Sequence, residues 1–159
     1  MFKVGEYVIY KRDLCRIKDI VEDKYYKLEM IGDESLVISV PIENRFNYLR
    51  YPISKEEAYD LINRISDIEV IDSNDKMLEN VYKELMRSNN HEDLIKIIKT
   101  TYLRNKERID NGKKVTDKDQ SFFEKAEKCL YNELSLSLGM SYLECKNFII
   151  DVVSKESGV

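Results

Sequence analysis

The 159-residue chain has no tryptophan, one histidine, two prolines and five glycines. A single histidine cannot furnish a His-rich zinc site, and three scattered cysteines (Cys15, Cys129, Cys145) with no Cys-x-x-Cys spacing do not make a structural one. Their odd number and the lack of an apolar leader after Met1 point to reduced thiols in a cytoplasmic protein rather than a disulfide frame. No run approaches the roughly 18 apolar residues of a membrane span, so no membrane partner is expected. Gly-x-Gly turns, P-loops and Ser or Cys nucleophile motifs are missing. Nothing in the chain assembles catalytic machinery, and no enzyme activity, cofactor or metal is expected. His91, at the start of an expected helix, reads as a capping or surface residue.

The net charge of −4 excludes a uniformly basic coat, so any nucleic-acid contact must come from a local patch. The first 53 residues hold nine Lys/Arg and nine Asp/Glu; the rest hold 17 and 21.

The first 53 residues are β-rich. Strands are expected over residues 7–11, 14–21, 24–31, 36–40 and 46–50, because β-branched and aromatic residues cluster there and Tyr26, Leu28 and Met30 fall at period two. Glu22-Asp23 and Gly32-Asp33-Glu34 supply turns. Pro41 cannot donate a ladder hydrogen bond, so its strand ends there or lies at a sheet edge. Five short strands in so few residues predict a small SH3- or Tudor-like β-barrel over residues 1–53.

From residue 54 to 159 the period turns helical. Ser54-Lys55-Glu56-Glu57 and Ser141-Tyr142-Leu143-Glu144 are capping boxes. Between them, one expected helix starts among the N-cap candidates Ile71-Asp72-Ser73-Asn74-Asp75 and runs to about Arg87. The next runs from about His91 to Asp110 with Gly112 as its stop, and another starts at Thr116-Asp117-Lys118-Asp119 and ends at Gly139. The expected fold class is α+β, a barrel followed by an all-helical bundle.

Two features suggest binding. Lys96, Lys99 and Lys106 lie at helical spacing on the third helix, and Lys113-Lys114 extend them, a candidate phosphate-contacting patch or simply a solvated face. Six tyrosines precede residue 53, more than a tiny barrel needs inside; some could form an exposed aromatic surface. Small barrels also leave edge strands open to β-augmentation.

The opening Phe2-Lys3-Val4-Gly5-Glu6-Tyr7-Val8-Ile9-Tyr10 resembles the start of the CarD/CdnL family of bacterial transcription regulators. Val40-Pro41-Ile42-Glu43-Asn44 is similar to that family's Val-Pro-x-Glu-Asn motif. Leu94-Ile95-Lys96-Ile97-Ile98-Lys99 stands where the family has a Val-Ala-Glu-Val-Val-Arg helix, and Tyr131-Asn132-Glu133-Leu134-Ser135-Leu136 resembles its closing segment. The likeness covers nearly the whole chain, in order. It implies a Tudor-like domain that docks on the RNA polymerase β subunit, a module also found in the transcription-repair coupling factor. It further implies a helical domain that contacts promoter DNA at the upstream edge of the bubble and props the open complex.

On this resemblance the polymerase-facing residues are Arg12, Arg16, Lys27, Leu36, Ile38, Ser39 and Pro41, and Asn74 and Lys76 join the spacing-derived patch of Lys96, Lys99, Lys106, Lys113 and Lys114 as the DNA-facing ones. The chain departs from the family at Tyr10-Lys11-Arg12-Asp13-Leu14-Cys15-Arg16, which lacks the glycines many members carry. Ser39 replaces a basic residue, and Asn74 stands near the position where many members have a tryptophan wedge. An amide can bond a base edge but cannot prop a base step apart. A diverged relative that binds protein with little DNA contact is therefore the alternative. Activation versus repression, target promoters and oligomeric state stay open.

Overall fold

The computed structural model describes residues 1–157. The chain divides into two compact units, Met1–Ile53 and Ser54–Val159.

The first unit is a five-stranded antiparallel sheet of order β4-β3-β2-β1-β5, with β1 Tyr7–Tyr10, β2 Asp13–Val21, β3 Tyr25–Met30, β4 Asp33–Pro41 and β5 Leu49–Arg50. Its core joins Val8, Cys15, Ile17, Tyr26, Leu28, Val40 and Leu49, contributed by all five strands. The ladder does not close: β4 bonds only β3 and β5 bonds only β1. The β2–β3 turn is made by Glu22 and Asp23, both left-handed (φ 53°), which matches the strand twist but is costly for residues with a Cβ. Gly32 (φ 94°) closes the next hairpin, and Asp33, expected in the turn, already pairs with Met30.

Two expected strands differ. Past Met30–Asp33 the register jumps to Glu29–Val37, so residues 34–36 bulge out and leave Leu36 exposed. The strand expected over 46–50 shrinks to Leu49–Arg50. Asn44 holds the preceding segment as a loop: its Nδ2 donates to the Leu49 carbonyl (2.9 Å) and its Oδ1 accepts from the Leu49 amide (3.2 Å).

The second unit is helical: α1 Lys55–Asn63, a 3-10 turn Ile65–Asp67, α2 Asp75–Arg87, α3 His91–Asp110, α4 Asp117–Leu138 and α5 Tyr142–Ser157. Ser54 and Glu57 form the full capping box at α1, while Asn74, Asn90 and Thr116 cap the next three helices. Gly139 (φ 66°) ends α4 in the left-handed conformation that only glycine takes without strain. The long helices α3 and α4 pack along each other as the spine, and Leu94, Ile95, Ile97 and Ile98 of α3 and Phe122, Ala126, Leu130 and Leu134 of α4 are buried. Among the described residues no helix is long and apolar enough to cross a membrane.

Candidate functional site

Strand alternation sorts the sheet unit's candidates by face. Tyr7, Arg16, Glu29 and Val37 stand in one cross-strand row, and Asp19, Lys27 and Ser39 in the next. Val21, Tyr25 and Pro41 follow. Arg16, Lys27, Val37, Ser39, Tyr25 and Pro41 are all exposed, so these rows make one outer face that ends at the free edge of β4. Arg16, Lys27, Ser39 and Pro41 are brought together there, with Leu36 (47% exposed) on the bulge beside them. Of the six tyrosines in this unit only Tyr26 is buried; Tyr7, Tyr25, Tyr48 and Tyr51 are exposed.

Two expectations are corrected. Ile38 pairs with Leu28 on the inner face and packs against the core, because period two turns it away from Ser39. Arg12 is only 9% exposed, and its Nη1 has no solvent access. The β1–β2 turn puts left-handed Lys11 (φ 57°) over the rings of Tyr10 and Tyr48 and leaves Arg12 inside.

In the helical unit the expected stripe of lysines breaks up. Lys99 is buried, and its Nζ donates to the carbonyls of Ile65 and Ile68, both at 2.7 Å. It satisfies the end of the 3-10 turn and cannot meet a phosphate. The sequence carried a signal for this: Ile95, Lys99 and Tyr102 share a helical stripe, so the lysine stem lies along an apolar face. Lys96 is half-buried. Lys106 is exposed beside a separate cleft of about 380 Å³ lined in part by Ile109, Phe123, Lys146 and Ile150.

The other DNA candidates converge. Asn74 and Lys76 open α2, and Lys113 and Lys114 lie in the α3–α4 connection; all four are exposed. Lys113 lines a polar hollow of about 160 Å³ with Asp75, Arg104, Glu107, Arg108 and Asn111. The Lys118 Nζ reaches the Asp75 carbonyl (3.3 Å), and Arg108 Nε donates to the Lys114 carbonyl (2.7 Å). Asn74, one of the N-cap candidates of residues 71–75, spends its Oδ1 on the Met77 amide (3.0 Å) as the helix cap. Asp75 and Glu107 stand among these cations and neutralise part of the corner's charge.

Beneath the corner sits a buried network. The Tyr82 hydroxyl and Arg104 Nε both donate to the fully buried Asp119 carboxylate at 2.9 Å, and Arg104 Nη1 reaches Asp75 at 2.9 Å. Burial, then the bond to Asp119, pushes the Tyr82 pKa up. Burial pulls Arg104 down, but the hydrogen bond and charge of Asp119 outweigh it, and its pKa ends raised. Arg104 is thus tied up in structure.

His91 is neither cap nor surface: it is the first residue of α3, and its Nε2 lies 2.8 Å from the buried Glu133 carboxylate. Burial raises the Cys15 thiol to about 12, with Asp13 adding to the effect, and the Cys145 thiol to about 11. Neither is a nucleophile near neutral pH. Among the described residues no cluster of three or more His, Cys, Asp or Glu side chains could hold a metal ion. The arrangement is suited to binding through an outer sheet face, a free strand edge and a cationic corner. Searched against family models and curated proteins, the chain matches none.

Proposed function

We propose that the chain is a CarD-like transcription regulator whose N-terminal unit, a small Tudor-like barrel with an open seam, docks on the RNA polymerase β subunit. The observation that carries the reading is the free edge of β4. It presents exposed Leu36 and Val37 and runs directly into Val40-Pro41-Ile42-Glu43-Asn44. An unpaired row of amides and carbonyls is a template for a partner's strand, and exposed apolar side chains give that strand purchase. Arg16 and Lys27 on the adjoining rows supply charge for orientation. In this reading the corner of Asn74, Lys76, Lys113 and Lys114 meets promoter DNA and modulates open-complex stability without catalysis. Co-purification of the full chain with a β-subunit fragment tests the docking: the wild type is retained, and Arg16→Glu weakens retention. Equal retention of Arg16→Glu counts against this face.

The buried Lys99, the committed Arg104 and the net charge of −4 favour a second reading, a protein-interaction module with little DNA contact. Salt dependence separates the two. DNA binding through the corner gives a steep slope of log affinity against log salt, and Lys113→Glu with Lys114→Glu flattens it by about 2. Under the second reading, forked promoter DNA adds nothing at any salt.

A further inference from the structure

Val8 of β1, Val40 of β4 and Leu49 of β5 share one core, although β4 and β5 stand at opposite ends of the strand order. The sheet therefore curls far enough to bring Val40 and Leu49 into one core with no ladder between their strands. A hollow of about 290 Å³ lies at the end of β4, lined by Tyr10 of β1, Val40 and Pro41 of β4, and residues of the loop before β5, Phe46, Tyr48 and the charged Glu43 and Arg45 among them.

The hollow's loop wall is aromatic and exposed: Phe46 is 67% and Tyr48 43% accessible, with ring centroids 5.5 Å apart. Exposed loop tips ordinarily carry small or polar residues. Here the loop is also held in place. Asn44 bonds Leu49 in both directions, Asn44 and Asn47 take left-handed backbone (φ 48° and 53°), and the Lys11 amide donates to the Tyr48 carbonyl at 2.8 Å. A loop backbone fixed in this way loses little freedom when something packs between the rings it carries. Glu43 and Arg45, the charged residues of the lining, pair with each other at 3.4 Å, while Lys11, just outside the lining, holds its Nζ over the rings of Tyr10 (5.4 Å) and Tyr48 (5.1 Å) and makes that side positive.

We infer that this hollow receives one bulky apolar side chain, flanked by a carboxylate that meets Lys11, from the extended segment that pairs with the free edge of β4. The inference rests on the docking reading above. The occupant follows from three facts. Val40 and Pro41 belong both to the edge strand and to the hollow's wall, so a segment laid along β4 runs into it. The volume is at the lower limit of small-molecule pockets and suits a single anchoring side chain. The uncompensated rim charge is positive.

Titration of the full-length chain with a polymerase β-subunit fragment tests it, using wild type, Phe46→Ser, Tyr48→Ser and Lys11→Glu, each checked for its melting transition. Phe46→Ser is expected to weaken binding tenfold or more, and Lys11→Glu severalfold, with melting close to wild type. If the wild type binds and all three variants bind equally well, the hollow is not the anchor, although docking stands. If the wild type does not bind, the docking reading falls and this inference with it. Should Phe46→Ser disturb folding, Lys11→Glu alone decides the outcome. Sedimentation of the free chain is the last arm. A wild-type dimer that Phe46→Ser dissociates, with β-fragment binding unchanged, would assign the hollow to a second copy and overturn the inference.

Discussion

Asp119→Ala removes the centre of the network that ties α2, α3 and α4 together. Asp119 is fully buried and accepts from Tyr82 and from Arg104, both at 2.9 Å. Truncation leaves the buried Tyr82 hydroxyl without its acceptor, which costs about 1–3 kcal/mol. It also leaves Arg104 with Asp75 alone, a carboxylate 79% exposed and so a weak partner. Breaking a fully buried ion pair costs about 3–5 kcal/mol. Because the Arg104 side chain is 26% exposed and can rehydrate, that part is discounted, and about 2–4 kcal/mol in all is expected. For a unit of this size that lowers the melting temperature by roughly 10–20 °C. Far-UV circular dichroism during urea and thermal unfolding reads it, the lack of tryptophan making fluorescence a poor probe. Asp75→Ala, at the exposed end of the same chain of contacts, is expected to cost about 1 kcal/mol or less. Tyr82→Phe combined with Asp119→Ala should cost less than the sum of the single changes, since no hydroxyl is then stranded. A loss below about 1 kcal/mol for Asp119→Ala, or full additivity in the double variant, would refute the claim that this network fastens the three helices.

Lys99→Ala strands the Ile65 and Ile68 carbonyls and should cost roughly 2–4 kcal/mol of stability; a variant of normal stability with weakened DNA affinity would show that the lysine turns outward. Replacing Glu22-Asp23 with Asn-Gly relieves two left-handed residues and should stabilise the sheet unit by about 0.5–1.5 kcal/mol in urea melts; destabilisation would mean those side chains make contacts worth more than the strain. With pKa values near 12 and 11 in buried sites, Cys15 and Cys145 should resist thiol reagents at pH 8 until the protein unfolds, leaving half-buried Cys129 to react first; mass spectrometry of the labelled native protein checks this, and early modification of Cys15 would contradict it. Burial raises the Glu127 pKa against the opposing charge of Lys146, whose Nζ lies 3.5 Å away. The folded state therefore holds that proton more tightly than the unfolded chain, and this group favours folding increasingly as pH falls through the carboxylate range and loses that contribution as pH rises. The stability of wild type relative to Glu127→Gln should accordingly improve from pH 7 towards pH 4; a flat or opposite trend in urea midpoints argues that the carboxylate is solvated.

Strong local chemistry was readable in the residues alone. The Ser54–Glu57 and Ser141–Glu144 boxes, the Gly139 stop and the end of an edge strand at Pro41 depend on neighbours in sequence, and each stands where its chemistry puts it. What escaped was set by partners far along the chain. Lys99 looked like a surface cation until the carbonyls of Ile65 and Ile68, more than thirty positions upstream, claimed it. Arg104 was taken into the Asp119 site, and His91 met Glu133 across 42 positions. The segment from Phe46 to Tyr48 had strand-forming residues, but Asn44 and Asn47 in left-handed backbone turned it into a loop. Arg16, Lys27 and Ser39 were expected from the family resemblance alone; the cross-strand register puts them on one outer face, and alternation along β4 removes Ile38 from it.

Hydrogen exchange of the full-length chain, with and without a polymerase β-subunit fragment, tests the docking of the β4 edge most directly. The backbone amides of Asp33–Pro41 should gain protection when the fragment binds, while the helical unit changes little. Binding that protects some other surface and leaves β4 exchanging as in the free protein, or no binding at all, would contradict it.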